Sequence, residues 1–323
     1  MDATMQTVFV TGGSGYLGRN LIRALRARGI AVRALARSPQ AQAAVRALGA
    51  EAVAGDLDAP PVEGLQGCDT VFHAAALVAE WGPREAYWRA NVVGTERLLM
   101  AARTAGVARF VHVSTEAVLA DGRPLRGVDE TYPYPGRPLP RYAHSKQEAE
   151  KRVRAANAPG FATLVIRPRL IWGGDDSSVA PQIAAAARAG KFAWIDHGRQ
   201  QTSSCHVDNV VHGALLAAER GRPGGVYFLT DGPPQPTRAF FTRLLASQGV
   251  PEPQRSVPYA LAWGLATLCE GLWDGLKLRG QPPLSRMPIA LFGNDIVVDD
   301  HRAREELGYA PVTSIDEGFA RLG

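Results

Sequence analysis

The first half of the chain alternates between two hydrophobic periods. Short runs rich in β-branched and aromatic residues lie at 7–11, 31–36, 51–54, 70–73, 109–114 and 162–167. Between them, apolar residues recur at helical spacing over 16–28, 40–48, 84–105 and 142–157. The stretch 84–105 runs into Gly106, which suits a helix C-cap. Strand–helix alternation of this kind predicts an α/β fold, a doubly wound parallel sheet with helices on both faces. After Pro168 the rhythm is lost. Gly, Pro and polar residues cluster at 173–178, 221–225 and 231–236, and one further strand-like run at 226–230 is expected to rejoin the sheet. The pattern divides the chain into a larger unit, 1–170 plus 206–230, and a smaller, mostly helical one, 171–205 plus 231–323.

Composition narrows the class. The chain has 323 residues, 46% apolar and 21% charged, which is ordinary for a globular protein with a sizeable core. Its net charge is +5, but the basic residues are scattered and mostly Arg. A nucleic-acid binder concentrates its charge in a stripe, so none is expected here, and the excess suits small anionic ligands. Cys68, Cys205 and Cys269 are far apart, with neither a disulfide framework nor metal-ligand spacing. No metal site is expected, and a reducing cytoplasm fits. No basic segment followed by an apolar one opens the chain, so no signal peptide is expected. The apolar stretch 257–273 is too short, and interrupted by Glu270, to span a bilayer. It is expected to be a buried or lid helix. A membrane-surface helix is the alternative, because Trp263, Trp273, Lys277 and Arg279 would suit an interface.

The chemistry begins at "TGGSGYLG", residues 11–18. Gly12, Gly15 and Gly18 follow a strand and open a helix, with Tyr16 and Leu17 at its first positions. Glycines let the chain turn tightly and let backbone N–H groups approach a pyrophosphate, and the helix N-terminus adds partial positive charge. The larger unit therefore reads as a dinucleotide-binding domain of the Rossmann type, and the smaller as a substrate-binding cap. After the second strand, an NAD-selective fold commonly places an acid to hold the ribose hydroxyls. Here the position carries Arg37, with Arg33 nearby. Arg can pair bidentately with a 2′-phosphate, so NADP(H) is preferred over NAD(H). In "GDLD", Asp56 can accept from the adenine amino group with Leu57 against the ring. In "FHAAA", Ala74 and Ala75 would let a cofactor pass close to the backbone.

The most informative pattern is "YAHSK". Tyr142 and Lys146 stand four apart at the start of a helix and so share a face. A tyrosine titrates near 10, and an ammonium one turn away would favour its phenolate. Ser114 and Thr115 close the fifth strand at the carboxyl edge of the sheet, where ligands bind. Either hydroxyl could hydrogen-bond a substrate carbonyl.

Together these segments resemble the extended short-chain dehydrogenase/reductase family, across essentially the whole chain. The likeness rests on TGGSGYLG, GDL, HAAA, "NVVGT" (91–95), VST, YxxxK, "RPRLIWG" (167–173), "HVDN" (206–209) and "ELGYAP". Within the family the chain is most similar to the 3β-hydroxysteroid dehydrogenase-like branch. RPRLIWG with "LCEGLWDGLKLRGQPPLSR" (268–286) also resembles bacterial 2-alkyl-3-oxoalkanoate reductases. The resemblance favours Thr115, three residues before Val118, over Ser114 as the catalytic hydroxyl. It gives Asn91 a structural and cofactor-contacting role, and runs Pro168 and Leu170 past the nicotinamide. It implies interconversion of a ketone and a secondary alcohol, with Tyr142 as acid/base and Lys146 holding the nicotinamide ribose. The missing acid after the second strand departs from the NAD-dependent steroid enzymes.

A nucleotide-sugar epimerase on the same scaffold is one rival. A non-catalytic NADP-sensing protein is a rival of another class. Sugar dehydratases of the family carry two carboxylates after the Thr, whereas here Glu116 is followed by Ala117. The substrate pocket is expected to draw on 77–88, 171–205 and 257–280. Six tryptophans lie in or near those segments, either packing the cap against the sheet or lining a pocket for a large apolar substrate such as a 3-oxo acid or steroid. Arg84, Arg169 or Arg199 could meet an acid group. By analogy with many members, helices 84–105 and 142–157 would pair two copies into a homodimer.

Overall fold

The computed structural model describes residues 5–79, 81–176 and 179–322. Seven parallel strands form the central sheet: β1 (Thr7–Thr11), β2 (Ala31–Ala36), β3 (Glu51–Ala54), β4 (Thr70–His73), β5 (Arg109–Val113), β6 (Ala162–Pro168) and β7 (Val226–Leu229). Their order is β7-β6-β5-β4-β1-β2-β3. The chain reverses direction across the sheet between β1 and β4, and doubly wound sheets place their ligand crevice at such a switch point.

Among the described residues nine helices have eight or more residues: α1 (Tyr16–Ala27), α2 (Pro39–Ala47), α3 (Gly94–Thr104), α4 (Tyr142–Ala155), α5 (Val179–Arg188), α6 (Val207–Arg220), α7 (Thr237–Ser247), α8 (Tyr259–Gly275) and α9 (Arg286–Gly293). Both faces of the sheet are covered. Val8 and Val10 pack with Leu21, Ile22 and Leu25 of α1 and with Val210 and Ala214 of α6. Phe9, between them, points the other way and packs with Val71, Phe110, Leu98 and Val153. Alternation along each strand thus feeds two cores, which is why the strand sequences are nearly all apolar.

The helix expected over 84–105 is present but interrupted. A short turn, Arg84–Tyr87, leads into a π-helical segment, Trp88–Val93, before α3 begins at Gly94. The wide turn accompanies a buried polar cluster. Asn91 exchanges hydrogen bonds with the Leu77 backbone, accepting from its N–H at 2.7 Å. The Thr95 hydroxyl donates to the Asn91 carbonyl at 2.6 Å. Single π-turns of this type often occur near functional sites.

The segments expected to be mostly helical, 171–205 and 231–323, also supply short strands. Leu125–Val128, Gln201–Thr202, Gln235–Pro236 and Ile296–Val298 form a small four-stranded sheet. Strands of two to four residues are too short to leave a period in the sequence, and their partners lie far apart along the chain.

Candidate active site

One cleft of about 1550 Å³ runs along the carboxyl ends of β1, β2, β4, β5 and β6 and continues beneath the C-terminal helices. It is lined by all the residues expected from the sequence to act in catalysis or to hold the cofactor except Asn91: Gly12, Gly15, Tyr16, Leu17, Gly18, Arg37, Asp56, Leu57, Ala74, Ala75, Ser114, Thr115, Tyr142, Lys146, Pro168 and Leu170.

At one end the loop after β1 turns into α1. Gly12 has φ +72°, and a Cβ there would lie 2.8 Å from the Ala74–Ala75 peptide. A Cβ on Gly18 would lie 2.1 Å from the Gly12 carbonyl. The helix starts without a side-chain cap and without an acid in its first turn, so its leading N–H groups stay available to an anion. These residues fit a dinucleotide pyrophosphate. Arg37, just beyond β2, is exposed and makes no ion pair or side-chain hydrogen bond among the described residues. Arg33 does not join it. Its side chain pairs with Glu51 at 3.2 Å and donates to the Gln66 carbonyl at 2.7 Å. Asp56 uses one carboxylate oxygen to hold a turn, accepting from the Asp58 and Ala59 N–H groups at 2.9 and 3.2 Å. Leu57 packs beside Gly94, where a Cβ would lie 2.9 Å from its own.

At the middle of the cleft α4 begins. Tyr142 is its first residue, preceded by Arg141 in the left-handed region at φ +65°. The Tyr142 hydroxyl is pushed well above its ordinary value, by burial first and then by the nearby Glu116 charge, while a hydrogen bond with Thr115 acts the other way. Lys146 does not supply the expected opposing charge. Its ammonium turns to β5, donating to the Val113 carbonyl at 2.7 Å and contacting His112 Nε2 at 3.2 Å. Burial pushes Lys146 down to about 8, partly offset by Glu150.

The two candidate hydroxyls differ in their commitments. Ser114 donates to Glu150, which is itself locked by buried Arg167 and accepts from Tyr134 at 2.6 Å. Thr115 accepts from the Ala117 N–H at 3.2 Å and donates to Glu116 at 2.8 Å. A hydroxyl has one proton to give, so Thr115 can offer it to a ligand only by releasing Glu116.

Asn91 lies behind the wall. Its carboxamide is engaged by Leu77 and by the Ser145 hydroxyl at 2.9 Å. It therefore ties α4 to the loop after β4 and does not line the cleft.

Sequence reasoning missed two features. Glu116 and Arg169, both buried, form an ion pair at 3.0 Å in the cleft wall. Arg169 also donates to the Leu291 carbonyl at 2.7 Å. The segment 281–292 supplies much of the far wall, including Pro283, Leu284, Met287 and Phe292. The available signals were its apolar content beside α8 and the family likeness of 268–286, neither of which pointed to the cleft wall. Of the segments that were expected, Leu77, Val78, Phe192, Trp194, Val257 and Leu265 line the cleft. Among the six tryptophans Trp194 alone does so, and Trp172 is fully buried, its indole donating to Asp231 at 2.7 Å. Arg84 pairs with Asp274 at 3.6 Å, and Arg199 borders a separate surface depression with Arg238 and Arg243.

Comparison with known proteins agrees with this geometry. Residues 8–229 match the model of the NAD dependent epimerase/dehydratase family. The chain is 51% identical over 316 residues to a 4-hydroxy-2-methyl-3-oxo-4-farnesyl-3,4-dihydroquinoline-1-oxide ketoreductase of Stigmatella aurantiaca, covering 97% of this chain and 95% of that one. It is 36% identical over 324 residues to a 2-alkyl-3-oxoalkanoate reductase of Stenotrophomonas maltophilia, covering 98% of each. Among solved structures it superposes on the crystal structure of gox2253 with a TM-score of 0.79 and 28% identity, covering 98% of this chain and 97% of that one. A dinucleotide cradle, a Tyr/Lys pair and reductase relatives matched over almost their full length converge: the chain belongs to the NAD-dependent epimerase/dehydratase family, the extended short-chain dehydrogenase/reductases, and is an NAD(P)-dependent oxidoreductase.

Proposed function

We propose that this enzyme reduces a ketone on a large apolar substrate, of the 3-oxo acid or steroid-like class, to a secondary alcohol, with NADP(H) preferred. The carrying observation is that Tyr142, Thr115 and Lys146 share one cleft with the glycine loop and with the apolar chamber under α8 and α9. The relatives named as reductases of a farnesylated quinoline and of 2-alkyl-3-oxoalkanoates support a bulky oxo substrate.

Gly12, Gly15, Gly18, Asp56 and Leu57 would hold the reduced cofactor, which would supply the hydride that the ketone carbon takes up. Thr115 turns its proton from Glu116 to the ketone oxygen. Tyr142 stays protonated through the neutral range and gives its proton to that oxygen as charge develops, so acid catalysis and oxyanion stabilisation act at one atom. Lys146 adds positive charge at the same end of the cleft and is available to the nicotinamide ribose. Pro168 and Leu170 form the wall beside the reacting end, and Arg37 is available to a 2′-phosphate. The same groups run the oxidation in reverse. Two copies pairing through α3 and α4 in the cytoplasm complete the reading, supported by Met100, which stands 61% exposed on α3.

The test is loss of NADPH absorbance, and separately of NADH, with a 2-alkyl-3-oxo long-chain acid, a 3-oxosteroid and a simple aromatic ketone. Turnover of a long-chain oxo acid with NADPH, lost in Tyr142→Phe, is the expected result. No turnover of any ketone, with tightly retained cofactor and binding of a nucleotide sugar, would establish the epimerase reading instead.

A further inference from the structure

The outer face of α8 is apolar along its length. Leu261, Leu265, Leu268, Leu272 and Leu276 fall within an arc of about 80° at 3.6 residues per turn. Each exposes between 44% and 66% of its surface. The opposite face, with Ala262, Ala266 and Glu270, is buried. A contiguous exposed patch of this kind is unusual for a surface that meets only water.

Charge is sorted along the same helix. Its two acids are both engaged by arginines: Glu270 pairs with Arg286 at 2.7 Å, and Asp274 with buried Arg141 at 2.5 Å. Just past the stripe Lys277 and Arg279 are exposed. The apolar surface thus ends at two cations that make no ion pair among the described residues, and both carboxylates of the helix are paired. The stripe is also continuous with the cleft, because Leu265 and Leu284 are exposed and line its mouth as well. No helix among the described residues is long and apolar enough to cross a membrane.

We propose that this face of α8 docks on an anionic lipid bilayer, lying in the interface with its leucines in the acyl boundary and Lys277 and Arg279 at the headgroups. The cleft mouth then opens toward the acyl chains, and an apolar substrate enters from the lipid without crossing water. A second copy packed on this stripe would instead cover that mouth. The consequence for substrate entry rests on the ketoreductase reading above, while the docking does not.

The experiment is flotation of the full chain with vesicles of phosphatidylcholine alone, or of phosphatidylcholine mixed with phosphatidylglycerol. The wild type is expected to float with the anionic vesicles and to release as salt rises. Lys277→Gln with Arg279→Gln is expected to weaken partitioning about 30-fold. Leu268→Glu with Leu272→Glu is expected to abolish it while turnover of a small soluble ketone is unchanged, which shows that the variant is folded. Failure of the wild type to float, or flotation of the leucine variant as strong as the wild type's, would overturn the proposal. So would sedimentation showing that the leucine pair holds two copies together without lipid. Vesicle binding without turnover of any ketone would leave the docking intact and count against the ketoreductase reading alone.

Discussion

The carboxylate of Glu116 and the guanidinium of Arg169 meet at 3.0 Å with both side chains almost fully withdrawn from solvent, in the wall of the cleft that holds Tyr142. Thr115 donates to that carboxylate, and its charge is one cause of the raised titration of Tyr142. A buried pair costs desolvation that its own attraction offsets only when both partners stay.

Removing both partners should therefore cost less than the two single removals added together. Glu116→Gln or Arg169→Met alone is expected to lower stability by about 3–5 kcal/mol, and the double variant by clearly less than the sum. Urea unfolding midpoints measure this, and additive losses would show that the pair is not coupled. Glu116→Gln should also bring the Tyr142 phenol down, moving the rising limb of the alcohol-oxidation profile to lower pH.

Lys146 sets a pH limit of its own. Burial depresses it to about 8, below the ordinary lysine value near 10.4. Ketone reduction should fall as pH rises through about 8, while Tyr142, raised, remains protonated. In the window between the two lysine values the unfolded chain binds the extra proton, so Lys146's cost to folding is fully present below about pH 8 and is relieved as pH rises. A rate profile flat to pH 10 would contradict this assignment.

Arg37 lies at the cleft wall after β2 with no ion pair among the described residues, whereas Arg33 is committed to Glu51 and Gln66. Arg37→Ala is expected to raise the KM for NADPH about tenfold or more, as loss of a charged hydrogen bond predicts, and to leave that for NADH nearly unchanged. Equal effects on both cofactors would remove Arg37 from any 2′-phosphate role. Arg33→Ala should change neither.

Arg141 couples the start of α4 to α8. Its backbone is left-handed, and its side chain is held by Asp274, by the Gly82 carbonyl at 3.0 Å and by the Trp81 ring at 3.3 Å. Arg141→Ala keeps the unfavourable backbone and loses all three anchors. It is expected to lower stability by roughly 1–3 kcal/mol and to lower kcat more than it changes cofactor KM, because Tyr142 follows directly. Steady-state kinetics with both substrates varied decide this. An unchanged kcat would mean that Tyr142 is positioned by the rest of α4.

The sequence by itself determined the sheet, the glycine turn, and the residues at the carboxyl ends of its strands. Those features are local. A strand buried on both faces is apolar throughout, a helix repeats at 3.6, and a loop between them must carry the chemistry the crevice needs, so Gly12, Arg37, Thr115 and Tyr142 could be placed in one cleft before any fold was seen. Tertiary structure decided what depends on partners distant in the chain. Lys146 turns to His112 and Val113, away from its expected part in lowering Tyr142. Asn91 is absorbed by Leu77 and Ser145. Arg169 meets Glu116 across 53 positions. No period or motif encodes such pairings, because a buried polar group takes whichever partner packing brings within reach.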